Sequence, residues 1–98
     1  MKIKHWADVA AQPAEGLEGV TVRWVIGEGD GAPHFAMRVF EVQPGHSTPY
    51  HNHWWEHEVF VLQGRGTVVS ANGETEISAG SVILVEKDEM HQFRNLGD

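Results

Sequence analysis

The 98-residue chain contains no cysteine, and that one absence removes disulfide staples, thiolate metal sites and cysteine nucleophiles together. Basic residues are scarce: 7 Lys plus Arg stand against 14 Asp plus Glu, a formal net charge of -7. Such a balance speaks against nucleic acid and anionic membrane as partners. No stretch approaches the roughly 18 consecutive apolar residues of a membrane helix, and the start MKIKHWADVA lacks an apolar signal core. The expectation is a cytoplasmic protein. Long helical periodicity is missing too, as are low-complexity tracts, a Ser-His-Asp arrangement, a phosphate-binding glycine loop and a paired-carboxylate acid and base set.

What the chain does have is an ordinary globular composition, 41% hydrophobic and 21% charged, in a length that suits one small domain over residues 1–98. A short helical turn around residues 6–11 is expected to end at Pro13 and Gly16. Residues 20–26 alternate, with Val22, Trp24 and Ile26 on one face and Thr21, Arg23 and Val25 on the other, so they read as a strand. Residues 27–33, GEGDGAP, are a loop, and 34–43 a second strand closed by Pro44-Gly45. The run EVFVLQ at 58–63 is apolar enough to suggest burial on both faces, one in the core and one against a second subunit. Asn72-Gly73 is the strongest hairpin signal, because both residues tolerate positive φ. Further strands are expected at 67–71, 74–78, 81–85 and 91–95. Short strands, regular turns and no helical period make the chain all-β, a sandwich or barrel.

The unusual feature is histidine, present 7 times, four of them concentrated in two places. His51 and His53 are two apart and so share a face of an extended chain. Trp54-Trp55-Glu56 is a bulky turn that would bring His57 back toward them, and His91 lies far downstream. Imidazoles aimed at one point make a metal site the natural hypothesis. His5, His34 and His46 have no such spacing and read as ordinary polar residues.

The spacing goes further than histidine. Gly45 is followed by five residues, His51-Asn52-His53, three residues, His57, six residues and Gly64. Gly80 is followed by five residues, Glu86-Lys87-Asp88, two residues, His91, three residues and Asn95. This pair of motifs, at 45–64 and 80–95, resembles that of the cupins, and within them a subset of small single-domain bacterial cupins with a four-histidine, often manganese, site. The resemblance implies a double-stranded β-helix or jelly-roll barrel and a divalent metal held by His51, His53, His57 and His91. His57 stands where cupins usually have a carboxylate, between Glu56 and Glu58, which read as solvated or paired rather than catalytic, with a part in the site as the alternative. Glu86 and Asp88 replace the usual Pro and Gly of the second motif, which should alter only that corner. Cupins of this kind usually add a strand after the second motif, so with Asp98 as the last residue the expectation is closure by a partner chain or a longer natural protein.

Four neutral imidazoles leave the full double charge on the metal, which favours bound anions or enolates. Zinc would close the site as a tetrahedron, whereas manganese or iron would keep two neighbouring positions for dioxygen, water or substrate. One ion per chain is expected, Mn2+ first, with Fe2+, Zn2+, Ni2+ and Cu2+ as alternatives. Around it, Phe93 shares the face of His91, and Arg38 and Phe40 share a face of the preceding strand. Arg38 pointing inward can pair with an anionic substrate; a solvated strand face is the alternative. Tyr50 faces away by strict alternation, and Trp54 and Trp55 lean to packing at a turn. The function implied by the resemblance is a metal-dependent oxidoreductase of dioxygenase type acting on a small organic substrate. A non-catalytic metal-dependent binding or sensing module and a sugar-type isomerase stand as alternatives. The apolar strands at 20–26 and 59–62 point to a homodimer.

Overall fold

The computed structural model of the chain describes residues 1–14 and 16–95. Among them lie eight strands and two single turns of 3-10 helix, all-β as expected. The chain divides into two compact units, residues up to Glu41 and residues from Val42 onward.

In the first unit the expected helical segment is a single 3-10 turn, Trp6–Asp8, capped by His5, whose Nδ1 accepts the Ala7 N–H at 3.1 Å. Val9 already has extended backbone, so the turn does not propagate to Ala11. A lone turn gains too few hydrogen bonds to offset the cost of nucleating a helix. Strands β1 (Gln12–Pro13), β2 (Val20–Ile26) and β3 (Met37–Val42) form a sheet in the order β1-β2-β3. β1 pairs antiparallel with β2 from an edge, the place where a proline costs no ladder bond. β3 starts at Met37, three residues after the expected His34. The intervening loop contains a 3-10 turn, Glu28–Asp30, whose Asp30 carboxylate accepts the Gly27 N–H at 3.0 Å.

The expected alternation in β2 holds only halfway. Val20 and Val22 are buried, then Trp24 is exposed and Val25 buried, so the inward spacing changes from two to three. Trp24 packs on the Arg38 guanidinium rather than in the core.

In the second unit β4 (His57–Phe60) pairs antiparallel with β7 (Val82–Val85), and β5 (Arg65–Ser70), β6 (Gly73–Ser78) and β8 (His91–Arg94) form a sheet in the order β6-β5-β8. The β5–β6 hairpin sits where the sequence places it, but its two-residue loop is Ala71-Asn72, since Ser70 pairs with Gly73. Neither loop residue has positive φ; Gly73 alone takes φ +129, so the doubly left-handed turn suggested by Asn72-Gly73 is not the one formed. β5 starts at Arg65, one residue after the turn glycine Gly64 at φ +84, and so includes Gly66.

In the β4–β7 pair, Glu58 opposes Leu84 and Phe60 opposes Val82, and all four are exposed. Burial of EVFVLQ on both faces is therefore not achieved within the chain: Val59 is half-buried while Phe60 is 62% and Val82 73% exposed.

Candidate metal centre

The two histidine-bearing stretches meet because residues 45–51 run antiparallel to β8. Ser47 opposes Arg94, His51 opposes His91, and the last two exchange both backbone hydrogen bonds, at 3.1 and 2.9 Å. Directly opposed residues put their side chains on one face. Backbone pairing thus sets the imidazoles of His51 and His91 side by side, with ring centroids 4.7 Å apart. His53 returns to the same face two residues on, 5.0 Å from each of the other rings. It is held there by the corner between β7 and β8: the Asp88 N–H donates to the His53 carbonyl at 2.7 Å, and Asn52 Nδ2 donates to the Asp88 carbonyl at 3.1 Å.

Backbone carbonyls also set the tautomers. Nδ1 of His51 lies 2.7 Å from the Pro49 carbonyl, that of His91 2.9 Å from Glu89, and that of His53 3.3 Å from Trp55. A carbonyl can only accept, so each Nδ1 carries the hydrogen and each Nε2 keeps its lone pair. One donor atom from each of His51, His53 and His91 lies within 4.8 Å of the others, so these three residues can hold a metal ion. His91 is buried; His51 and His53 are half-buried. His57 begins β4 opposite Val85 and approaches the group through His53, with Nε2 to Nε2 3.0 Å and ring centroids 4.5 Å apart. Its ring is 5.9 Å from that of His91.

The other candidates fall in different places. Phe93 is half-buried with its ring edge-on to His91 at 6.2 Å. Tyr50 is exposed beside His51. Arg38 and Phe40 belong to the first unit, where the Arg38 guanidinium lies 5.0 Å from the Phe40 ring and 4.9 Å from that of Trp24, and burial lowers its pKa. Glu56 and Glu58 hydrogen-bond to each other; that bond, reinforced by the charge of Glu58, holds the Glu56 carboxyl above the usual carboxylate range.

Trp55 is the residue whose part the sequence understated. Rather than only packing at a turn, its indole lies flat on the His53 ring, 4.2 Å between centroids and 2° between planes, while its carbonyl accepts from His53 Nδ1. Its position two residues after His53 was the available signal. Asn95 was legible only as a motif residue. Its Nδ2 donates to the Val42 carbonyl at 2.8 Å, its N–H to the His46 carbonyl at 3.0 Å, and its carbonyl accepts the Gly45 N–H at 2.8 Å, which ties the start of the first motif to the end of the second. Gly45 makes this approach at φ +82, a left-handed conformation that favours glycine.

A family model described as cupin domain matches residues 38–98. Among solved structures, the chain is similar to the polyketide cyclase RemF from Streptomyces resistomycificus, with 37% identity and a TM-score of 0.93 over 99% of this chain and 71% of that one. It is also similar to a predicted oxalate decarboxylase from Thermotoga maritima (20%, TM-score 0.83, 99% and 90% covered). A sugar phosphate isomerase from Silicibacter pomeroyi is a further match (19%, TM-score 0.76, 96% and 67% covered). At these lower identities the last two share the fold alone. No curated protein matches the chain.

Proposed function

This chain belongs to the cupin family and has its jelly-roll fold, and on that scaffold we propose a divalent-metal-dependent enzyme for a small organic substrate, its ion held by His51, His53, His57 and His91. The observation that carries the reading is the donor set: three Nε2 lone pairs fixed by Nδ1 hydrogen bonds, with the His57 Nε2 3.0 Å from that of His53. Among divalent ions the reading takes manganese first, with iron, nickel, copper and zinc as alternatives.

When bound, such an ion supplies a Lewis acid whose double charge the four neutral imidazoles leave intact, suited to a carbonyl or enolate oxygen. The chain's own residues do the positioning. Carbonyls of Pro49, Trp55 and Glu89 keep the three imidazoles from turning, and the flat Trp55 ring holds His53 against rotation. The Phe93 ring edge and the Trp55 face offer apolar surface beside the histidines.

Ring closure of an enolisable polycarbonyl compound is the first reaction we assign, supported by the 37% identity with RemF over nearly the whole chain. Oxygenation of dioxygenase type is the second, for which an ion held by the four histidines would have to keep positions open to dioxygen and substrate. We extend the proposal to a cytoplasmic homodimer; among the described residues no helix is long and apolar enough to cross a membrane. The test combines metal analysis and spin resonance with two assays on manganese-loaded protein: conversion of a linear poly-β-ketone under argon, and oxygen uptake in air. Cyclised product without oxygen, lost in His53→Ala, supports the first reading; uptake lost in the same variant supports the second. Tight ligand binding without turnover leaves a binding or sensing module. Zinc filling the site, with no exchangeable water, overturns every enzymatic reading.

A further inference from the structure

We propose that Trp24, Arg38 and Phe40 form a second binding site, one that needs no metal ion, for a carboxylate carried on a flat aromatic ring. Arg38 and Phe40 are two apart on β3 and so share a face, and Trp24 comes from β2. The Arg38 guanidinium carbon lies 4.9 Å from the Trp24 ring centroid and 5.0 Å from that of Phe40. Both contacts place the guanidinium over an aromatic ring, and among the described residues none of its N–H donors is engaged by an oxygen acceptor.

Two other arginines differ from Arg38. Arg23 donates to the Val9 carbonyl at 2.9 Å and pairs with the Glu41 carboxylate, and Arg94 pairs with Glu74 at 2.8 Å. Arg38 has neither: among the described residues no carboxylate or carbonyl accepts from it. The acidic side chain nearest along its strand, Glu41, is engaged by Arg23. Half-burial already weakens its hold on the proton, which means the charge is partly desolvated, with no counter-ion among the described residues. Its donor edge still reaches solvent, since no buried side-chain nitrogen or oxygen lacks a partner. A carboxylate is the planar, bidentate acceptor that fits that fork. Trp24 and Phe40 are 49% and 44% exposed, so each also offers a ring face to the body of such an acid. A phosphate carries more charge than one guanidinium can offset and has no use for the aromatic surface.

The test is a calorimetric titration of the full chain with 1-naphthoate and with the uncharged 1-naphthylmethanol, and indole N–H signals followed by NMR. One naphthoate per chain should bind, shift the Trp24 indole signal, and exceed the alcohol in affinity by about 10-fold. Arg38→Gln should weaken naphthoate binding by about 10-fold or more, and Arg38→Lys, which keeps the charge and loses the fork, by several-fold. Should Arg38→Gln fail to fold, Arg38→Lys decides. Binding unchanged in the folded variants overturns the proposal. So does binding lost from chelator-treated wild type, which would assign the acid to the histidine cluster, and so does no binding to wild type.

Discussion

At Asp88 the backbone takes φ +63, the left-handed conformation in which the cupin motif usually has glycine. Aspartate is among the few residues with a Cβ that visit this region at modest cost. The corner therefore keeps its path, and both backbone groups of Asp88 engage the His51-Asn52-His53 stretch. Asp88→Gly should change unfolding free energy by less than about 1 kcal/mol, while Asp88→Val should cost about 1–2 kcal/mol; urea titration checks both. Because the β-branched side chain would also strain the clamp on His53, metal affinity should fall in Asp88→Val and not in Asp88→Gly. Protons compete with the metal for the same imidazole lone pairs. Affinity for a bound ion should accordingly decline as pH falls, and occupancy constant between pH 5 and 8 would contradict a histidine site. His57→Glu should retain the ion but bind anionic ligands more weakly, because a carboxylate cancels part of its charge. The histidine spacing was readable in the sequence. The carbonyls of Pro49, Glu89 and Trp55 that orient the rings were not, because main-chain groups carry no residue signature.

Elements show where pattern reading works and where it slips. Each strand expected from an apolar run exists, because period-two patterning and turn residues agree locally. Boundaries shifted where the deciding contact lay elsewhere: β5 starts early because Arg65 and Gly66 pair with Ser78 and Ile77 of β6, and Gly66 also lies close to β8. A Cβ there would stand 2.5 Å from the Arg94 carbonyl oxygen. Gly66→Ala should push the two strands apart and cost about 1–3 kcal/mol, read as a lower melting temperature with loss of amide protection in β8. In the first unit, the Asp30 carboxyl is lowered below its ordinary 3.8 by a hydrogen bond from Lys4, then one from the Gly27 amide, and it closes the loop between β2 and β3. A depressed carboxyl contributes stability above its unfolded value and loses it as pH falls through the folded one. Asp30→Asn should therefore lower the melting temperature at pH 7, with the gap to wild type closing below pH 3.8.

For the whole molecule, the exposed apolar face is the main open demand. Phe60, Val82 and Leu84 stand on one side of the β4–β7 pair at 62%, 73% and 55% exposure. A face of this kind calls for cover, and a second copy is the occupant we assign. Sedimentation at micromolar concentration should give a dimer, and Phe60→Asp should give a folded monomer; a monomeric wild type overturns the assignment.

Composition, turn residues and motif spacing by themselves determined the all-β class, the family and the four histidines of interest, because each is written in local order along the chain. Tertiary structure alone decided that His51 and His91 form a backbone pair 40 positions apart, that Trp55 lies on His53, that Val25 replaces Trp24 in the core, and that Arg38 rests on two aromatic rings. These depend on which strands become neighbours and in what register. That choice is settled by the summed packing of the chain, and no short stretch of sequence contains it.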